Sequence, residues 1–294
     1  MSGLLSGKTA VITGGSRGLG LAMAEAFGAE GAAVVIGSRS PQAVAEAVRR
    51  LEAQGARSTG LACDVTSPSQ IAGLAEQARR TFGGFDIWVN NAGISAPYGP
   101  TAEVDPSSFE KVVATNILGV YHGSMTALGE FLPKRSGKLI NLLGRGDRQP
   151  APYQSAYGSS KTWVRSFTLA LAREYRDSGV SIFAFNPGLV LTDLLLHPDV
   201  IAGREQDLQG VYGFIVNAWG SPPEAPARKA AWLAGPATDG QTGRVVSLVG
   251  FGTILARTFR WILRRLAGRA PSARIQAHIV PSYLKTQSQE SATA

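Results

Sequence analysis

Thr9-Ala10-Val11-Ile12-Thr13-Gly14-Gly15-Ser16-Arg17-Gly18-Leu19-Gly20 is the stretch on which the fold turns. Residues 9–13 are apolar or β-branched and read as a short buried strand. Glycines follow at 14, 15, 18 and 20, and a helical pattern then runs to about Glu30. A strand, a glycine loop and a helix make a phosphate cradle. The glycines allow a tight turn and close approach of backbone to pyrophosphate, and the helix start supplies unpaired N–H groups and a positive dipole end. Gly14, Ser16, Arg17, Gly18, Leu19 and Gly20 are therefore expected to contact a dinucleotide. An ordinary glycine-rich turn would use the same letters; a place between strand and helix at the head of an alternating pattern favours the cradle.

The alternation continues. Residues 33–37 read as the second strand, ending in Ser38-Arg39-Ser40. An acid at that end would hold a ribose hydroxyl. Arg39, with Arg17, offers two guanidinium groups to a 2′-phosphate instead, so NADP(H) is expected over NAD(H). A helix over 41–54 and a strand over 58–62 lead to Cys63-Asp64-Val65, where Asp64 is placed for an adenine amino group. Ser67 is expected to cap a helix to about Phe82. A strand over 86–89 ends in Asn90-Asn91-Ala92-Gly93, small and amide residues that let backbone approach a cofactor and tie strands together. A long helix from Pro106 carries Asn116 and passes Met125. A strand over 138–143, a helix over 153–177, a strand over 180–186 broken by Pro187-Gly188, a helix over 224–233 and a strand over 243–248 complete the pattern. Residues 189–222 read as irregular, with an apolar cluster of Val211, Tyr212, Phe214, Ile215, Val216 and Trp219. A long segment past a strand end is expected to be a substrate lid. The whole predicts an α/β fold, a doubly wound parallel sheet with its site at the strands' carboxyl ends.

Composition agrees with one globular domain. Of the 294 residues 44% are hydrophobic and 17% charged, outside the disordered range. Cys63 is the only cysteine, which excludes an intrachain disulfide and a cysteine-cluster metal site; no metal is expected. No charged-then-apolar leader and no spanning-length apolar run is visible, so a cytoplasmic protein is expected. The charge is uneven. Residues 1–250 carry 22 Lys and Arg against 20 acids, while 251–294 carry 7 against 1. The chain thus divides into a domain over 1–250 and a basic extension over 251–294.

Tyr157-Gly158-Ser159-Ser160-Lys161 places a phenol and an ammonium on one helix face, a turn apart. A phenol has a pKa of about 10 in water. A nearby cation favours the phenolate, so Tyr157 is expected to become a more willing proton carrier near neutral pH. Tyr-x-x-x-Lys alone recurs by chance; its company gives it meaning.

Thr13-Gly14-x-x-x-Gly18-x-Gly20, Asp64-Val65, Asn90-Asn91-Ala92-Gly93, Asn116, Tyr157-x-x-x-Lys161 and Pro187-Gly188 stand in the order of the short-chain dehydrogenase/reductase superfamily, which the chain resembles over about residues 5–250. The resemblance implies a Rossmann fold and a homo-oligomer. It implies that Tyr157 is the general acid/base, that Lys161 tunes it and holds the nicotinamide ribose, and that Asn116 positions a water in a proton relay. Asp64, Val65, Asn91, Ala92, Gly93, Pro187, Gly188, Val190 and Thr192 would complete the NADP(H) contacts, with Thr192 at the carboxamide.

One family residue is missing. The serine usually found thirteen residues before the tyrosine is Gly144 here. Losing one oxyanion-type donor costs on the order of 10²–10³ in rate. Either the chain binds NADP(H) without catalysis, or Arg145, Ser155, a backbone N–H near Gly144 or a water fills the gap. Gly144, Arg145 and Tyr153 are the expected substrate neighbours, and the expected substrate is an apolar aldehyde, ketone or alcohol. The Asn-x-x-Gly strand end, the run from Pro187 to Leu196 and the basic aromatic tail look like the chlorophyll b reductase-like branch, which also lacks the serine.

In the tail, Leu255, Phe259, Ile262 and Leu266 recur at helical spacing among Arg257, Arg260, Arg264, Arg265 and Arg269. This predicts a basic amphipathic helix over 253–269, lying on a membrane surface or packed on the domain or a second subunit. No nucleic-acid motif accompanies the charge, so no nucleic acid is expected. The final dozen residues read as disordered.

Overall fold

The computed structural model describes residues 3–207, 210, 212–268 and 273–287. Seven parallel strands form its main sheet: β1 (Thr9–Thr13), β2 (Ala33–Ser38), β3 (Ser58–Ala62), β4 (Ile87–Asn90), β5 (Gly137–Leu142), β6 (Val180–Asn186) and β8 (Val245–Ser247), in the order β3-β2-β1-β4-β5-β6-β8. The strand order reverses between β1 and β4, and a crevice opens there at the carboxyl ends.

The inner strands β1, β2, β4, β5 and β6 are largely apolar because both faces are covered, while the edge strands β3 and β8 are only part-buried. Side chains alternate across the sheet. Ala10, Ile12, Val34, Ile36 and Ile140 face a layer that includes α1 (Gly18–Ala29), α2 (Pro41–Ala53) and α10 (Glu224–Ala234). Val11, Val35, Trp88 and Leu139 face the opposite layer, built from α3 (Pro68–Phe82), α5 (Gly119–Lys134) and α6 (Ser155–Glu174). Ser40 caps α2 by accepting from Ala43 N at 3.2 Å. Asp105 caps α4 (Pro106–Val112) by accepting from Ser107 N at 2.7 Å. Ser67 stands at the N-cap of α3 as expected, but makes no cap bond; its hydroxyl pairs with Ser69 Oγ at 3.0 Å. Between α4 and α5 the helix widens into a π-helical turn over Val113–Leu118, which carries Asn116.

Segment 189–222 is not irregular. It contains α7 (Asp193–Leu196), β7 (Asp199–Ile201), α8 (Glu205–Asp207) and α9 (Gly213–Trp219). Val211 of the expected apolar cluster lies outside the described residues. After β8, α11 (Phe251–Leu266) rests on α9, and β9 (His278–Val280) pairs in parallel with β7. Tyr98 adds a bridge to Val200 on the other edge of β7. Residues 283–287 form a helical turn, and Ser282 is buried. The expectation of disorder from 283 onward therefore fails over those five residues; 288–294 and Arg269 lie outside the described set.

Candidate active site

The glycine loop is held by the strand beside it. Thr13 Oγ1 donates to Val89 O (3.3 Å) and accepts from Asn91 N (3.1 Å) and Ala92 N (3.2 Å). Asn91 Nδ2 donates to Thr13 O (3.0 Å) and Gly14 O (3.1 Å). Trp88 Nε1 donates to Asn90 Oδ1, and Asn90 Nδ2 to Asn141 Oδ1, both at 2.8 Å, linking β4 to β5. A Cβ at Gly20 would collide with the Gly14 carbonyl and lie 2.6 Å from Asn91 Nδ2, so the sequence must place glycine there. The first turn of α1 has no side-chain cap and no acid, which leaves its N–H groups to a ligand.

A cleft of ≈ 520 Å³ starts at this loop and runs along the strand ends. Gly14, Arg17, Gly18, Leu19, Gly20, Arg39, Asp64, Val65, Asn91, Ala92, Gly93, Pro187, Gly188, Val190 and Thr192 line it, as do Tyr157, Lys161, Gly144 and Arg145. The cradle shape, the open helix start and the basic pair fit a dinucleotide phosphate. Arg17 also faces Asp193 at 3.6 Å, and both are exposed.

Two expected site residues stand outside the cleft lining, and a third lies behind it. Ser16 does not line the cleft; its hydroxyl donates to Ser38 Oγ at 2.9 Å and ties the loop to β2. Tyr153 does not line it either. Its φ of 63° falls in the left-handed region, and its ring packs on Tyr98 (5.5 Å between centroids) beneath Arg204. Asn116 is buried and bonded to the chain around it, with one acceptor site of its amide oxygen left over. Its Oδ1 accepts from Ile94 N (2.9 Å), and its Nδ2 donates to Ile94 O (2.9 Å) and Ser160 Oγ (3.0 Å). It still stands near Lys161: a Cβ at Gly93 would lie 3.4 Å from Asn116 Oδ1 and 3.7 Å from Lys161 Nζ.

At the centre, α6 presents Tyr157 to the end of β5. A Cβ built on Gly144 would collide with Tyr157 Oη and lie 3.2 Å from Cζ, so the phenol occupies the space a larger residue at 144 would claim. Lys161 Nζ donates to Leu142 O at 3.1 Å, 5.5 Å from the centre of the Tyr157 ring. The expected acidification of the phenol is not found. Burial pushes Tyr157 up to about 12, with the nearby Tyr212 and Asp147 adding to the effect. Burial pulls Lys161 down to about 8. The desolvated site disfavours phenolate and ammonium alike.

This has a measurable consequence. Folded Lys161 loses its proton before the unfolded chain does, so the unfolded state holds more protons between about pH 8 and 10.5. The burial penalty is fully present below that window and disappears through it. The unfolding free energy of the wild type minus that of Lys161→Met is expected to rise by about 3 kcal/mol across the window, measured by urea denaturation at stepped pH. A flat difference would refute the depressed lysine.

Among the candidates for the missing serine, Ser155 is removed: its Oγ accepts from Thr101 Oγ1 at 2.8 Å and does not line the cleft. Arg145 does line it. Sequence reading missed Tyr98, Gln154, His197 and Tyr212, which line it too. Tyr212 Oη donates to Leu195 O at 3.1 Å, and burial pushes the phenol up to about 12 against the opposing charge of Arg145. Tyr212 was visible only as one letter in an apolar cluster; Tyr98 carries no local signal. Behind Gly144, buried Asp147 accepts from Asn186 Nδ2 at 3.0 Å, and burial raises its pKa.

This fold and cleft define a nicotinamide-type oxidoreductase, and the comparisons agree. A family model described as short chain dehydrogenase matches residues 8–197. The chain belongs to that family, whose members act on hydroxyl or carbonyl groups of small molecules. It is 36% identical over 256 residues to 3beta-hydroxysteroid dehydrogenase 1 of Eggerthella lenta, covering 85% of this chain and 95% of that one. It is 33% identical over 217 residues to a probable chlorophyll(ide) b reductase of Oryza sativa subsp. japonica, covering 67% of this chain and 43% of the other. Likeness to the expected branch is thus present without exceeding that to a bacterial steroid enzyme. A 3-ketoacyl-(acyl-carrier-protein) reductase from Brucella melitensis, complexed with NADH, superposes with TM-score 0.74 at 28% identity, over 85% of this chain and 99% of that one.

Proposed function

We propose that this chain is an NADP(H)-dependent oxidoreductase that interconverts a carbonyl and an alcohol on an apolar substrate, with Tyr157 as general acid/base. The observation that carries the reading is the Tyr157 hydroxyl at the β5 end, with Lys161 buried beside it, where the cradle's cleft meets an apolar pocket. When bound, the nicotinamide supplies or takes the hydride.

The chain's own residues do the rest. The glycine loop and the α1 start hold the phosphates, and Arg17 and Arg39 hold a 2′-phosphate. Tyr157 keeps its proton across neutral pH and is therefore set to donate it to a carbonyl oxygen as the alcohol forms. Lys161 orients the ribose and replenishes the proton. Leu143, Leu189, Leu195, Ile215 and Val216 give the pocket its apolar wall, and segment 189–222 acts as a lid over the substrate.

The test is NADPH and NADH oxidation against a panel of apolar aldehydes and ketones, with Arg17→Ala/Arg39→Ala beside the wild type. The double variant is expected to raise KM for NADPH by about 10–100-fold, the loss of charge-assisted bonds to one phosphate, and to leave KM for NADH within a few-fold. An equal change for both cofactors would refute the 2′-phosphate clamp. The non-catalytic alternative rests on Gly144 alone, and the relatives are dehydrogenases and reductases.

A further inference from the structure

α11 has two apolar faces, and the domain uses one. On that face Trp261 meets Phe214 of α9 edge-on, with centroids 4.9 Å apart and planes at 89°. Trp219 Nε1 donates to Thr258 Oγ1 at 2.9 Å, and Arg257 Nη1 donates to Trp219 O at 2.5 Å. The second face points into water. Leu255, Phe259, Ile262 and Leu266, spaced four, three and four apart, are 62%, 63%, 43% and 80% exposed, and Leu263 borders them at 50%. A stripe of five large apolar side chains on one exposed helix is a contact surface rather than scattered surface apolarity.

The charge on the same helix chooses the contact. α11 carries Arg257, Arg260, Arg264 and Arg265 and no acid. A second copy of the helix would set arginines against arginines. A bilayer containing anionic lipid offers hydrocarbon for the stripe and negative headgroups for Arg260 and Arg265, which border it on either side at helical spacing. The helix is roughly 24 Å long at about 1.5 Å per residue, and no helix among the described residues is long and apolar enough to cross a membrane. We propose that α11 lies in the plane of an anionic membrane surface, with Leu255, Phe259, Ile262 and Leu266 in the interface. Because α9 lends Ile215 and Val216 to the cleft, docking sets the cleft's apolar wall beside the bilayer.

The surface is tested on the full chain by flotation with phosphatidylcholine vesicles, with and without phosphatidylserine. Truncation is unsuitable, since β9 pairs with β7. The wild type is expected to float with the anionic vesicles and to be released at high salt. Leu255→Ser/Phe259→Ser/Leu266→Ser is expected to cut the floated fraction at least tenfold, and Arg260→Gln/Arg265→Gln to abolish the preference for phosphatidylserine. Both variants are checked for an unchanged melting temperature; should the triple variant melt early, the arginine pair carries the test. Wild type that stays at the bottom with both vesicles overturns the proposal, as does equal flotation of the variants. Failure to float, together with a dimer that the triple variant dissolves, assigns the stripe to a second copy and overturns it as well. None of these readings uses turnover, so they stand apart from the oxidoreductase reading.

Discussion

Tyr157→Phe is expected to lower NADPH-dependent carbonyl reduction by about 10²–10⁴-fold, the usual contribution of a positioned acid. The substitution keeps the ring that packs at the β5 end and removes only the hydroxyl. Lys161 keeps its bond to Leu142 O, and the glycine loop is untouched. NADPH affinity, followed by nucleotide fluorescence, is therefore expected to stay within a few-fold while kcat falls. That split separates loss of a proton donor from loss of the fold. With the phenol pushed up to about 12, the wild-type hydroxyl is protonated throughout the neutral range. Reduction should therefore show no loss of the acid there, and a break near pH 8 should belong to Lys161. Turnover unchanged in the phenylalanine variant would remove Tyr157 from the chemistry.

Gly144→Ala is expected to lower kcat by about 10–100-fold, because small misplacements of a reacting group are costly. A methyl at 144 claims the place of the Tyr157 hydroxyl. The backbone or the phenol must therefore shift, at about 1–3 kcal/mol of stability for an overpacked site. Gly144→Ser should do the same, although it restores the letter the family pattern lacks. Kinetics and thermal melting of the two variants check this. A serine variant more active than the wild type would show that the phenol does not belong against the strand end, and that the glycine is a lesion rather than an accommodation.

The middle of the sheet was legible because its inner strands are buried on both faces. Runs such as Thr9–Thr13 and Val180–Asn186 are continuously apolar or nearly so, and α2 and α3 show clear periodicity. The cradle was legible because Gly20 answers a local demand, the approach of the Gly14 carbonyl, that no other residue meets. What escaped depends on distant partners. β7 exists because His278–Val280 returns to pair with it, and three residues without a local pattern cannot announce that. Tyr98 enters the cleft from a bridge beside β7 and Tyr212 from the helical turn leading into α9, and neither place is marked by a local pattern. Tyr153 leaves it through a left-handed φ at a non-glycine residue, a conformation unmarked in the letters. The pKa expectation for Tyr157 failed for another reason: spacing shows that a lysine is near, and not that burial outweighs its charge.

The small ribbon of β7 and β9 has a bearing on how this chain acquires selectivity. The family match ends at residue 197, so both strands of the ribbon lie beyond it. Two stretches nearly eighty residues apart thus shape the same rim, and a change in one is felt by the other. Swapping 189–222 from a relative, a natural first attempt at retargeting, would deliver a strand without its mate. Transplants that carry 273–287 along with it would arrive as a matched set.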